Sequence, residues 1–223
     1  MPVRISVAVV FEIRSTLKNR VKVQGSPSMT SQTQPCTREQ ILNGMGITTL
    51  FSALVVGLWI GLGSSFPVPF RWDPLALAWG TGLGLGVALL SGGVYRFWPA
   101  YRRAATAYLH WVADPLRWGD VFWVGLLPGW SEEWLFRGVL MSLLVASPLG
   151  WTGGILLSGL LFGVLHWLGW QGWPYAVWAG GVGILMGIGL WLSGNLLVTI
   201  VAHTLVNWIG VCAWKCFFSQ AEP

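Results

Sequence analysis

Long apolar runs, separated by short polar or proline-containing stretches, make up most of the chain after residue 40. About 20 consecutive apolar residues are enough for a helix to cross a bilayer core. A more polar, basic and aromatic stretch, residues 96–120, interrupts the series and predicts a connector helix lying along the membrane surface. The pattern therefore predicts an all-α fold, a polytopic transmembrane helix bundle of about six spans. These spans are expected over residues 41–63, 74–95, 121–146, 150–170, 173–194 and 195–218.

The composition supports the same class of protein. The 223 residues are 54% hydrophobic and only 9% charged, whereas a soluble domain carries about 25% charged residues. The mean hydropathy is +0.63. The chain contains 30 glycines, which are frequent in membrane helices, and 17 tryptophans, which are typical of the lipid–water boundary. We therefore expect an integral, multi-pass membrane protein in contact with lipid.

Basic residues are concentrated at the N-terminus and in the connector, and the formal net charge is +5. Residues 1–40 combine this basic excess with a Pro/Ser/Thr-rich stretch, which predicts a disordered cytoplasmic tail attracted to anionic lipid. No nucleic-acid partner is expected, because the basic residues 1–40 lack aromatic interleaving and a binding fold. The basic connector predicts that it and both termini are cytoplasmic. Its basic residues are Arg96, Arg102, Arg103 and Arg117.

The pattern divides the chain into three parts. Residues 1–40 form the tail, residues 41–118 contain two spans and the connector, and residues 119–218 contain four spans. Loops between the last four spans are short, so neighbouring helices are expected to be antiparallel. The oligomeric state stays open at this point.

Glycine and proline suggest local features of the spans. Glycines four residues apart suit close helix–helix approach, which we expect within one bundle rather than between copies. These pairs are Gly80 with Gly84 and Gly183 with Gly187. Pro128 and Gly129 are expected to break or kink the third span. Asp114 and Pro115 have the sequence of a helix start.

A small group of polar residues lies inside the otherwise apolar last four spans. Ionisable side chains are costly in a bilayer and normally face the bundle interior, where they pair with each other. A buried structural network, a transport site and a catalytic site all remain possible interpretations of such a group. The residues are Glu132, Glu133, Arg137, His166, His203 and Asn207.

Helical spacing predicts how the acidic pair is used. Glu133 and Arg137 are four residues apart, which suits an ion pair. Glu132 points about 100° away from Glu133, since each helical step turns by that angle. One acid is therefore expected to be neutralised by the arginine, while the other faces a wet cavity.

The histidines show related spacing. Phe162 precedes His166 by four residues, so an aromatic ring can lie against the imidazole. His203 and Asn207 have the same spacing and share one helical face. The predicted topology places Glu132 and His166 at similar depth in the cytoplasmic leaflet.

Three motifs occur in order on successive predicted spans. They are EEWLFR at residues 132–137, FGVLH at 162–166 and HTLVN at 203–207. This ordered set resembles the CAAX-protease and bacteriocin-processing family of intramembrane proteases, also called the Abi family, over about residues 119–212. The resemblance implies a protease-like core in residues 119–218 and hydrolysis of a peptide bond in a membrane-anchored or hydrophobic peptide substrate.

The resemblance also implies roles for individual residues. Glu132 and His166 would hold and activate a water molecule, and His203 and Asn207 would stabilise the oxyanion. A histidine and an asparagine on one helical face can each donate a hydrogen bond, and one such donor contributes about 3 kcal/mol. The supporting residues would be Glu133, Arg137 and Phe162.

Metal dependence and activity are left open by these residues. We expect a metal-free mechanism without a cofactor, because the HExxH zinc signature is absent. The alternative is a zinc protease, with Glu132, His166 and His203 as three ligands and an open position for water. A non-catalytic membrane scaffold or binding protein of the same fold is the other alternative.

Overall fold

The computed structural model describes residues 36–66 and 68–218, and this part of the chain is almost entirely helical. The predicted all-α fold is confirmed. The α-helices are α1 (Arg38–Gly61), α2 (Pro74–Phe97), α3 (Pro99–Ala113), α4 (Val121–Glu133), α5 (Met141–Ala146), α6 (Gly150–Leu165), α7 (Trp173–Ser193) and α8 (Leu196–Phe217). A π-helical segment, Trp134–Leu140, joins α4 to α5, and 3-10 turns occupy Trp118–Asp120 and Trp170–Gly172.

The predicted tail lies outside the described residues up to residue 35. The structure begins the first helix at Arg38, slightly earlier than the predicted boundary at residue 40. The reason is a capping box, in which the Thr37 hydroxyl accepts from the Gln40 amide and the Gln40 side chain accepts from the Thr37 amide.

Within the described residues, four helices are long and apolar enough to cross a membrane, and they cover the first, second, fifth and sixth predicted spans. The third predicted span is helical from residue 121 to 146, but it contains the π-helical segment and the charged residues. The fourth ends at Leu165 rather than residue 170, and its 16 residues make it shorter than the about 20 needed to span a bilayer core. These helices are roughly consistent with the prediction of about six spans, and they indicate an integral membrane protein.

Local chemistry sets the helix boundaries around the loops. Asp73 caps α2 by accepting from the Leu75 amide at 3.0 Å, and Pro74 occupies the first turn. Gly194, with φ of 62°, ends α7 in the left-handed conformation that favours glycine. Asn195 then opens α8, so the last two helices are separated by a tight turn.

The predicted glycine contacts are formed within the bundle. A Cβ atom on Gly84 would lie 2.9 Å from the Ala202 carbonyl oxygen, so α2 approaches α8 closely only because glycine lacks that atom. A Cβ atom on Gly183 would lie 3.0 Å from the Gly159 Cα, which brings α7 against α6. Both spans therefore use their glycines for intramolecular packing, as predicted.

One local prediction is wrong, and the break predicted at Pro128 is not observed. Asp114 and Pro115 follow the end of α3 instead of opening a helix, and the Asp114 carboxylate accepts hydrogen bonds from the Trp214 indole and from His110. Pro128 lies inside α4 without breaking it. The irregularity falls later, in the π-helical segment, where backbone bonds rather than a proline ring change the helix.

Helices α1 and α4 run in the same direction, side by side. Arg38 at the start of α1 pairs with Asp120 just before α4, at 2.6 and 2.7 Å. Further along both helices, the Ser52 hydroxyl donates to the Ser131 carbonyl at 2.7 Å. The first helix therefore follows the helix that contains the acidic pair.

Candidate active site

The acidic pair lies at a change of helix type. Glu132 and Glu133 are the last two residues of α4, and the π-helical segment begins at Trp134. Within this segment the Met141 amide donates to the Phe136 carbonyl, five residues back. Such π segments within α-helices are frequent at functional sites.

Glu133 and Arg137 form the ion pair that their spacing predicts. The Arg137 guanidinium donates to the Glu133 carboxylate at 2.9 Å, and both side chains are at most 1% exposed. The same guanidinium donates to the Gly183 carbonyl of α7 at 2.8 Å and lies 4.8 Å from the Phe162 ring centroid. A buried charge needs such partners, because its desolvation costs several kcal/mol.

His203 of α8 lies between the two carboxylates. Its Nδ1 donates to Glu133 at 2.8 Å, since a carboxylate can only accept. Its Nε2 lies 4.0 Å from a Glu132 carboxylate oxygen. That distance is too long for a direct hydrogen bond and fits one bridging water molecule.

Glu132 has surroundings unlike those of its neighbour. Its side chain is 21% exposed, against 0% for Glu133. One of its carboxylate oxygens is buried and makes no hydrogen bond to the described residues. The two adjacent acids therefore differ as expected, with Glu133 paired and Glu132 available for another donor.

His166 lies at the C-terminal end of α6, next to Phe162. Its Nδ1 is 2.8 Å from the Phe162 carbonyl oxygen, which can only accept, so this nitrogen holds the proton. The Nε2 of the neutral ring then keeps its lone pair. The Phe162 ring lies 4.4 Å from the His166 ring and 5.8 Å from the His203 ring, between centroids. One phenylalanine thus packs against both imidazoles.

Asn207 lies one helical turn beyond His203 on α8 and is half-buried. Glu133 thus bonds to both Arg137 and His203. Phe162 packs against Arg137 and both imidazoles, and Glu132 lies 4.0 Å from His203. Asn207 is linked to this group through its position on α8.

Close approach of α4 and α8 brings His203 to the acids. A Cβ atom on Gly129 would lie 2.3 Å from the Thr204 hydroxyl, and one on Gly125 would lie 2.0 Å from the Trp208 ring. These glycines are four residues apart and form a groove on α4 into which α8 fits. The sequence offered a signal in Gly125 and Gly129, but only Gly129 was considered, as part of a break or kink with Pro128.

Tyr108 is a neighbour of the site that the sequence did not indicate. It belongs to α3, and its ring stacks on Tyr175 with centroids 4.4 Å apart. Tyr175 in turn lies 6.3 Å from the His166 ring. Burial raises the pKa of Tyr108 to about 12, and the charge of Glu132 adds to the rise. The phenol is therefore protonated at neutral pH.

The described residues contain no group of three His, Cys, Asp or Glu side chains arranged to hold a metal ion. The proposed zinc ligands Glu132, His166 and His203 accordingly do not form a preorganised set. Only the Nε2 atoms of these histidines could take part in such a set, because His203 Nδ1 is bonded to Glu133 and His166 Nδ1 to a backbone carbonyl.

Residues 114–209 match a known protein family, described as Type II CAAX prenyl endopeptidase Rce1-like. The match includes all three motifs and confirms the resemblance that they indicated. It supports a membrane-embedded peptide hydrolase in general.

A relative is also found among curated proteins. The chain is 27% identical over 92 residues to the uncharacterized protein YpbD of Bacillus subtilis (strain 168). The aligned part covers 41% of this chain and 44% of that protein, so the chain spans less than half of its length. No solved structure matches the chain significantly.

Proposed function

We propose that this chain, whose residues 114–209 match the Rce1-like CAAX endopeptidase family, is an intramembrane endopeptidase. It hydrolyses a peptide bond of a membrane-anchored or hydrophobic peptide with a water molecule activated by Glu132. One observation supports this proposal above the others: Glu132 faces His203 Nε2 across 4.0 Å, while Glu133 is neutralised by Arg137. The two neighbouring carboxylates thus have different roles, Glu132 as the base and Glu133 as the partner of Arg137.

The first step is attack by water on the scissile carbonyl. Glu132 accepts one proton of the water, and the Nε2 lone pair of His166 helps to hold the same molecule. The oxygen then bonds to the carbonyl carbon, and the carbonyl oxygen becomes an oxyanion. A base close to the water and the substrate reduces the entropy cost of bringing them together.

The second step is collapse of the tetrahedral intermediate. In this step His203 carries a proton on each ring nitrogen, since Nδ1 already donates to Glu133. Its Nε2 and the Asn207 amide then donate hydrogen bonds to the oxyanion, and each such donor contributes about 3 kcal/mol. The C–N bond breaks, and the proton held by Glu132 passes to the leaving amine. The products are a carboxylate and an amine, and Glu132 returns to its charged form.

Glu133, Arg137 and Phe162 position the reacting groups. Glu133 fixes the orientation of His203 through the 2.8 Å bond to Nδ1, and Nε2 then faces Glu132. Arg137 neutralises Glu133 and ties α4 to the Gly183 carbonyl of α7. Phe162 fills the space between the imidazoles of His166 and His203.

The test is cleavage of a membrane-anchored peptide reporter by the purified protein in lipid. Glu132→Gln and His166→Ala are expected to abolish cleavage, because each removes a group that holds the water. Glu39→Gln, the same change at an exposed glutamate of α1, is the matched control and should leave the rate unchanged.

Each rival has its own outcome in this experiment. A non-catalytic scaffold would give no cleavage by the wild-type protein. A zinc enzyme would lose activity in chelator and regain it with zinc. Full activity of both the Glu132→Gln and His166→Ala variants would contradict the mechanism.

A further inference from the structure

Buried serine hydroxyls meet the backbone carbonyls at and around the π-helical segment. Ser52 of α1 donates to the Ser131 carbonyl at 2.7 Å, and Ser158 of α6 donates to the Phe136 carbonyl at 3.2 Å. Ser142 donates to the Gly138 carbonyl. All three side chains belong to residues that are at most 4% exposed.

The physical need for these hydroxyls follows from the surrounding lipid. A change from α- to π-helical bonding alters which carbonyls find a partner along the helix. No water is present in a hydrocarbon core to satisfy the remainder, so serine and threonine side chains take that role. The serines therefore stabilise the irregular helix from two sides, α1 and α6.

Ser52 has the most direct relation to the acidic pair. Its acceptor, the Ser131 carbonyl, belongs to the residue immediately before Glu132. The same carbonyl also accepts from the Trp134 amide, where the π-helical segment begins. Ser52 thus bonds to the backbone at the junction that sets the direction of the carboxylate.

Helix α1 is otherwise a peripheral element. Ser52 is its one buried residue, and α1 lies outside the residues that match the family. Two contacts nevertheless hold α1 against α4. Arg38 binds Asp120 through two hydrogen bonds, and Met45 packs on the hydrophobic cluster that includes Val124. This docking holds Ser52 at a fixed height beside the junction.

We propose that Ser52 is a positioning residue, which holds the start of the π-helical segment and thereby directs Glu132 toward His203. Helix α1 is then a working part of the site and not only a membrane anchor. The catalytic consequence rests on the proposed peptidase function, whereas the structural consequence at residues 131–140 does not.

The structural and the catalytic consequence are measured separately, by amide hydrogen exchange and by kcat and KM. Without the hydroxyl, the junction carbonyl loses a partner, and the amides of residues 134–140 are expected to exchange hydrogen faster. A displaced base slows the chemical step but leaves the substrate-binding surface intact. We expect kcat to fall about tenfold or more with KM unchanged, since small misplacements of catalytic groups have large effects on rate.

The experiment compares four variants of the full chain in lipid. Ser52→Ala removes the donor, Ser52→Thr keeps it, and Ser52→Cys keeps the volume with a weak donor. Thr49→Val is the matched control, because the Thr49 hydroxyl bonds within α1, to the Met45 carbonyl at 2.8 Å. Hydrogen exchange by mass spectrometry over residues 131–140 is measured alongside kcat and KM.

The expected order is clear. Ser52→Ala raises exchange and lowers kcat, Ser52→Cys gives an intermediate result, and Ser52→Thr and Thr49→Val resemble the wild type. Unchanged exchange in Ser52→Ala, or a Ser52→Thr variant as defective as Ser52→Ala, would overturn the proposal. If the wild-type chain cleaves no reporter, the peptidase function fails while the exchange data still decide the role of Ser52.

Discussion

Glu132 and Glu133 show how neighbouring residues of one type acquire different environments. Helical geometry turns one toward Arg137 and the other toward a less buried region, and the spacing alone was enough to predict this difference. The shared contact with His203 was not predictable, because sequence spacing within one helix carries no information on the rotation of α8. Tyr108 was missed for the same reason, since no motif connects α3 to the acids.

The Glu133–Arg137 pair is expected to be essential for stability. Arg137→Ala leaves a carboxylate buried without its cation, which typically costs about 3–5 kcal/mol. The free energy of unfolding in detergent, measured by denaturant titration, should fall by this amount. Arg102→Ala, at an exposed arginine of α3, is the control and should have little effect.

A double change separates stability from chemistry. Glu133→Gln with Arg137→Met removes both charges and is expected to recover much of the stability that Arg137→Ala loses, because a buried ion pair often contributes little net free energy. His203 would still lack its carboxylate acceptor, so cleavage should stay low. An Arg137→Ala variant as stable as the wild type would show that the pair is solvated.

At the scale of elements, the contact between α4 and α8 assembles the site. The sequence predicted both helices, and it predicted that glycines allow close packing of helices, because apolar runs and small residues are local features. It did not predict the π-helical segment or the groove at Gly125 and Gly129, since both depend on how one helix fits another. The shortened α6 was also not predictable, as its apolar composition continues past Leu165.

Gly129→Ala tests this contact. The added Cβ would lie 2.3 Å from the Thr204 hydroxyl and 2.9 Å from its backbone nitrogen, so α8 must move away. Overpacking of this kind costs about 1–3 kcal/mol, and the displacement of His203 should also abolish cleavage.

Gly82→Ala provides the matched control for the Gly129 variant. Its Cβ would have no neighbour within 4 Å, so stability should be unchanged or slightly raised, because alanine favours helix. Thermal unfolding and cleavage are measured together for both variants. Equal behaviour of the two would contradict the proposed groove.

At the scale of the molecule, helices outside residues 114–209 support the helices within that range. Residues 114–209 include the three motifs, whereas α1 contributes Ser52 and α3 contributes Tyr108. The sequence predicted membrane spans in this first half but no part in the site. The predicted cytoplasmic position of both termini stays a prediction.

The Arg38–Asp120 pair attaches α1 to the rest of the described chain and predicts a pH dependence. Hydrogen bonds from Arg38 hold the pKa of the Asp120 carboxyl below its usual value. Stabilisation by this carboxylate is therefore complete above its unfolded pKa of about 4 and is lost as the pH falls through the lower, folded pKa.

Asp120→Asn should remove this dependence. The variant is expected to be less stable than the wild type at neutral pH, and the difference should shrink in acid, below about pH 4. Thermal unfolding across this range measures it, with Asp73→Asn as the control for an aspartate that only caps a helix. A difference that stays constant with pH would contradict the role of the pair.

The most direct test of the central claim follows the oxygen atom of the water. Wild-type protein cleaves a membrane-anchored reporter in water labelled with the heavy isotope of oxygen, and mass spectrometry measures the mass of the new carboxyl terminus. A water activated by Glu132 predicts one heavy oxygen in that carboxylate from the wild type and no product from Glu132→Gln. Product formed by the Glu132→Gln variant at the wild-type rate would contradict it.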